Sequence, residues 1–99
     1  MWFVPEEALD STRSAVFDAG GGQIGEYERC SWHTAGTGTF LAGEGTEPAI
    51  GERGSEERVA ELRVETVVPD ERLEAAVAAL KLAHPYEELA YDVYPLVDV

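Results

Sequence analysis

Between Val59 and Ala83 the side-chain period changes once, from two to 3.6, and that change restricts the fold more than any other feature of the chain. Over Val59 to Val68, Leu62, Val64, Thr66 and Val68 point one way and Arg63, Glu65 and Val67 the other, the pattern of a half-buried strand. Asp70, after Pro69, is placed to cap a helix. Leu73, Ala76, Val77, Leu80 and Ala83 then recur at helical spacing, which predicts an amphipathic helix. Pro85 cannot continue it. Leu89 to Tyr94 alternates again, with Leu89, Tyr91 and Val93 opposed to Ala90, Asp92 and Tyr94. The second half of the chain therefore reads strand, helix, strand.

The first half repeats that order. Trp2-Phe3-Val4 is a short run of β-formers, and Pro5 with Glu6 and Glu7 suits the first turn of a helix, where acidic side chains meet the positive end of the dipole. Ala8/Leu9, Thr12, Ala15/Val16 and Ala19 form the helical stripe, and Gly20-Gly21-Gly22 ends it. Gly25 to Thr34 alternates, with Cys30 and Trp32 on one side and Ser31 and His33 on the other, and is expected to be the second strand. Ala35 to Gly38 reads as a turn, Thr39 to Leu41 as a short returning strand, and Gly43 to Gly54 as loop. A β-α-β-(β)-β-α-β order with both helices on one face of an antiparallel sheet is an α+β, ferredoxin-like split βαβ sandwich. At 99 residues the chain is expected to be one domain, 1–99.

Charge narrows the partners. Seven Lys and Arg against 20 Asp and Glu leave a formal net charge of -13, which repels both nucleic-acid phosphates and anionic membrane surfaces. The acidity is read first as solubility and second as a surface for cations or a basic partner. A single cysteine, Cys30, fits a reducing compartment. No apolar run approaches the ~20 residues of a membrane span, and the N-terminus has no signal-peptide pattern, so the cytoplasm is the expected location.

Five strings taken in order, Phe3 to Trp32, "GTGTF" from Gly36, "PAIGERG" from Pro48, "ELRVETVVP" from Glu61 and "HPYEELAYDVYPL" from His84, resemble the YqfO-type, PII/CutA-like domain of the Nif-three-like proteins. The resemblance covers nearly the whole chain. It implies a ferredoxin-like fold close to the PII and CutA proteins, which trimerise. In the larger relatives the domain is inserted between two halves of a metal-binding protein. Those halves, with their histidine and carboxylate ligands, have no counterpart in this sequence, which reads as the domain standing alone.

The side chains with ligand chemistry are His33, His84, Cys30, Glu87 and Glu88. Neither histidine has a recognised ligand spacing, and Cys30 and His33, three apart, face opposite sides of one strand. His84 with Glu87 or Glu88 across the turn, or with His33 of another copy, is the metal candidate, and zinc or copper suits imidazole best. The plainer reading of His84 is a cation at the negative end of the second helix. Cys30 and Trp32 are expected in the core. Asp92, Glu65 and Arg63 are expected as an ion-pair network on the open face of the sheet or at a subunit contact. For Trp32, Tyr91 and Tyr94, core packing is the first reading and an aromatic patch at a subunit contact the second. Neither glycine-rich stretch has the lysine and following helix of a phosphate loop, and no nucleophile motif is present.

The sequence thus leans away from an enzyme. The expected function is a small homo-oligomeric module, trimeric in preference to dimeric, that binds a small ligand or a protein partner without a cofactor, with His84, Tyr86, Glu87, Glu88 and His33 as candidate ligand-binding residues. The alternative is a metal-binding or metal-dependent hydrolase-associated domain using His84 with Glu87 or Glu88.

Overall fold

In a computed structural model, described over residues 1–46 and 54–99, the chain forms three antiparallel strands and two helices in the expected α+β arrangement. The strands are β1 (Trp2–Val4), β2 (Ser31–Leu41) and β3 (Glu56–Thr66), in the order β1-β3-β2. The helices are α1 (Leu9–Asp18) and α2 (Leu73–Ala83), each entered through one 3-10 turn. Trp2 and Val4 of β1 stand beside Val64 and Leu62 of β3. Ala8, Val16, Ala76 and Leu80 cover that face, so one core joins both helices to one side of the sheet.

Local chemistry explains how each helix ends. After α1 the N–H of Gly20 bonds the Phe17 carbonyl and that of Gly21 bonds Val16, with Gly20 at φ 116°. This is a Schellman closure, and its left-handed position is why glycine stands there. α2 has no glycine and ends by another route. His84 precedes Pro85, whose ring disfavours helical backbone in the residue before it, and His84 adopts φ -79°, ψ 138° while its N–H still bonds the Leu80 carbonyl. At the start of α2 the expected Asp70 cap is absent. Pro69 occupies the cap position, and no side chain bonds the free N–H groups.

The second strand differs most from expectation. It begins at Ser31 instead of Gly25 and runs without interruption through Gly36 and Gly38 to Leu41, where a turn and a short returning strand are expected from sequence. Arg29, at φ 57°, breaks the alternation before it can pair. Residues 31–41 instead pair with β3 along their full length, from Ser31 with Thr66 to Leu41 with Glu56. Eleven consecutive pairings outweigh the turn preference of an isolated Gly-Thr-Gly-Thr. β1 meets only Leu62 to Val64 of β3, so the outer half of the hairpin extends past the rest of the sheet. The loop expected over Gly43 to Gly54 lies largely outside the described residues.

The last strand is reduced to a ribbon. The Phe3 N–H bonds the Ala90 carbonyl and the Asp92 N–H bonds Met1, with Tyr91 bridged to Trp2, but no regular strand forms over Leu89 to Tyr94. This segment still lies on the free side of β1, giving the spatial order of a ferredoxin-like sheet with a weak fourth member.

The aromatic residues sort differently from the core-packing expectation. Trp32 is 59% exposed and Tyr94 56%, while Tyr91 is half-buried. Register explains Trp32. It stands opposite Glu65, on the face that no helix covers. Cys30 is half-buried instead of sealed in the core. The aromatic residue that anchors the core is Trp2, whose indole N–H donates to the Oγ1 of Thr12 at 3.1 Å, and Thr12 in turn donates to the Ala8 carbonyl at 2.8 Å. Thr12 is fully buried, so this chain satisfies polar atoms that would otherwise cost ~1–3 kcal/mol each.

Candidate functional site

Alternation along β3 places Val59, Glu61, Arg63 and Glu65 on the open face, and pairing puts Gly38 opposite Val59 and Gly36 opposite Glu61. Two glycines on that face of β2 leave space where side chains would stand. The Glu61 carboxyl fills part of it, for a Cβ built on Gly38 would collide with it. The rest is a cleft of ≈ 300 Å³ closed on one side by the end of β2 with Ala42, Gly43 and Thr46 and on the other by the turn after α2. Phe3, Phe40, Leu41 and Val59 supply its apolar walls, and Thr39, Thr46, Glu61, Tyr86, Glu87 and Glu88 its polar side chains.

His84 holds that turn in place. It is 7% exposed. Its Nδ1 accepts the Tyr86 N–H at 3.1 Å, which leaves the ring proton on Nε2 to be donated to the Phe3 carbonyl at 2.7 Å. The ring therefore ties the end of α2 to β1, a different role from the expected charge at the helix terminus. Both nitrogens are engaged, so the ring as placed has no lone pair to offer a metal. The Tyr86 ring meets the His84 ring edge-on, with centroids 4.8 Å apart.

Burial pushes the Glu61 carboxyl above the usual glutamate range, against the opposing effect of the Tyr86 hydroxyl. Burial also raises the Tyr86 phenol, and the negative charges of Glu61 and Glu7 raise it further. The Tyr86 hydroxyl is buried and close enough to Glu61 for each to affect the other's titration, but it completes no hydrogen bond of good geometry. Among the described residues Glu61 makes no ion pair, and no Lys or Arg lines the cleft. The nearby Arg63 is committed elsewhere on the same face, 3.6 Å from Glu65 and stacked over the Phe3 ring. Arg63 and Glu65 thus pair on the open face as expected, but Asp92 joins no ion pair among the described residues, and its carboxylate accepts from the Tyr94 hydroxyl at 3.3 Å instead.

Of the five candidate residues read from sequence, Tyr86, Glu87 and Glu88 line the cleft and His84 braces it from behind. His33 does not join them. It is exposed on β2, opposite Val64, and β3 separates it from the β1 carbonyl that His84 holds. Among the described residues no group of three or more His, Cys, Asp or Glu side chains converges as a metal site. Sequence reading missed Glu61, Phe3 and Phe40. The available signal was the pair of glycines spaced two apart, which on a strand opens a gap on one face. A larger groove of ≈ 710 Å³ runs between α2 and the C-terminal segment, but its lining is mainly apolar and no set of polar groups converges there. Among the described residues no helix is long and apolar enough to cross a membrane.

No protein-family model matches the chain. A Mycobacterium tuberculosis protein named GTP cyclohydrolase 1 type 2 homolog is 54% identical over 95 residues, covering 96% of this chain and 25% of that protein. The homolog of the same name from Bacillus subtilis is 45% identical over 94 residues, covering 95% of this chain and 25% of the relative. The chain therefore spans about a quarter of the length of the curated relatives it matches. Among solved structures, a Bacillus cereus protein related to NIF3 superposes with a TM-score of 0.84 at 44% identity, over 98% of this chain and 24% of that one. Agreement in sequence and in fold runs over nearly every residue here and about a quarter of each relative, so this chain matches one region of NIF3-related proteins.

Proposed function

We propose that this domain is a non-enzymatic, self-associating binding module of the cytoplasm, trimeric in preference to dimeric, that takes a small ligand or a protein partner at the open-face cleft. The observation that carries this reading is the outer edge of β2. It is an 11-residue edge strand, Ser31–Leu41, with no Lys, Arg, Asp, Glu or Pro in it. Monomeric proteins protect such edges with charge, proline or bulges, because unpaired backbone groups recruit other strands. Here the edge is long and neutral on a chain of charge -13. The other side of the sheet ends in the weak ribbon at Ala90 to Asp92, so the two sides are unlike. Pairing between unlike surfaces is heterologous, and it closes as a ring whose smallest member is a trimer.

The curated relatives are named for a GTP cyclohydrolase homolog, but no described lining residue supplies a cation for a triphosphate. A metal role for His84 is opposed by its two engaged nitrogens, and a purified protein that retained stoichiometric zinc or copper after dialysis would reinstate it. Sedimentation equilibrium at micromolar concentration tests the assembly. The expected mass is three times the 10.8 kDa chain, and Thr37→Lys on the exposed edge is expected to lower it to one chain with unchanged circular dichroism. A monomeric wild type would overturn the reading.

A further inference from the structure

The cleft combines three features that together define a ligand class. Its walls are largely apolar, its polar side chains are three acids, a phenol and the hydroxyls of Thr39 and Thr46, and its innermost acid has no cationic partner among the described residues. Glu61 is kept at that position by backbone geometry. It sits over Gly36 and Gly38 on the glycine side of β2, and Gly38 carries no Cβ that would displace its carboxyl. The Tyr86 hydroxyl is buried beside it with a donor and an acceptor unspent. Glu87 and Glu88 are exposed at the mouth. Among the described lining residues an anion would meet three carboxylates and no positive side chain. A neutral apolar molecule would leave Glu61 as it is. A cation with an apolar body would complete an ion pair at Glu61, donate a second hydrogen bond to the Tyr86 hydroxyl oxygen, and rest its body between Phe3, Phe40 and Val59. Aromatic faces also favour cations, and a charge-assisted bond to a carboxylate out of water is stronger than one in water. The volume, ≈ 300 Å³, is at the small end of ligand pockets and equals roughly ten water volumes.

We propose that this cleft binds an organic ammonium or guanidinium group carried on a short apolar arm, with Glu61 as the charge partner and Tyr86 as the second polar contact. The inference rests on reading the cleft as the module's ligand site, and it adds the ligand's chemistry. The cation has two sources, a free small amine or a Lys or Arg side chain of a second copy.

Titration calorimetry with benzylamine, agmatine and benzyl alcohol tests the proposal, with sedimentation mass recorded on the same samples. The two cations are expected to bind, and benzyl alcohol, which has benzylamine's shape without its charge, at least tenfold more weakly. Glu61→Gln keeps the shape and is expected to reduce benzylamine affinity at least tenfold, about 1.4 kcal/mol or more. Tyr86→Phe is expected to reduce it less. Glu57→Gln, on the same face outside the cleft lining, is expected to leave it unchanged, which separates a local contact from the field of a very acidic chain. Unchanged thermal melting of Glu61→Gln shows that the loss is not unfolding. If the native cation belongs to a second copy, benzylamine lowers the mass of the wild-type assembly and Glu61→Gln does the same. Equal affinity for benzylamine and benzyl alcohol, or full affinity in Glu61→Gln, overturns the proposal. If the mass stays trimeric in that case, the assembly reading survives. A monomeric protein that still binds benzylamine through Glu61 keeps the ligand inference and removes the assembly.

Discussion

Replacing His84 with alanine removes a side chain that ties α2, β1 and the turn before the cleft together. The ring is 7% exposed and makes two hydrogen bonds, to the Phe3 carbonyl at 2.7 Å and from the Tyr86 N–H at 3.1 Å. Two such bonds contribute ~0.5–1.5 kcal/mol each, and truncation also leaves a carbonyl and an N–H without their partners in a shielded place. Water can enter the space beside the turn and recover part of this. The net loss is therefore expected at about 3 kcal/mol, a large share of the ~5–15 kcal/mol available to a domain. For a chain of this length that lowers the melting temperature by roughly 12–24 °C. Urea denaturation followed by tryptophan fluorescence measures it directly, because Trp2 lies in the core beside β3. Wild type and variant must be compared at one protein concentration, since self-association adds to apparent stability. His33→Ala, at an exposed position on β2, is the control and should change stability by no more than ~0.5 kcal/mol. A His84→Ala variant as stable as the His33→Ala control would refute the bridging role and leave the turn that forms the cleft without its brace.

Glu61 predicts a pH dependence of opposite sign to that of an ion-paired carboxylate. Its folded-state carboxyl titrates above the unfolded one because of burial, so the folded chain binds more protons between the two values and loses stability as pH rises through that window. Glu61→Gln should flatten this slope just above the usual glutamate range, as read from urea midpoints at several pH values, and an unchanged slope would count against burial as the cause. Trp2→Phe leaves Thr12, still bonded to the Ala8 carbonyl, without its indole donor, and is expected to cost ~1–2 kcal/mol by the same denaturation assay. Assembly should strengthen with added salt, because each copy carries a charge of -13 and screening weakens their repulsion; a mass that falls with salt would place ion pairs at the contact.

The elements with strong local signals were legible in the residues alone. α2 spans Leu73–Ala83, matching a hydrophobic stripe bounded by Pro69 and Pro85, and α1 ends at the glycines expected to end it. These are short-range effects, in which spacing and backbone allowance act within a few residues. The β2 strand was not legible, because Gly36 and Gly38 carry turn preferences when isolated. Their pairing with Val59 and Glu61 comes from residues more than 20 positions away.

The cleft depends on the same long-range pairing. Tyr86, Glu87 and Glu88 announced themselves by crowding after a helix-stopping proline, and the sequence by itself determined that this turn would be acidic, aromatic and held next to a strand. Only the tertiary structure decided which surface the turn would face. Register brought Glu61 opposite a glycine gap, and the two hydrogen bonds of His84 fixed the turn against β1. Side-chain period is a property of one segment, whereas a cavity is the space left between three, and its position follows from how strands pair across the chain.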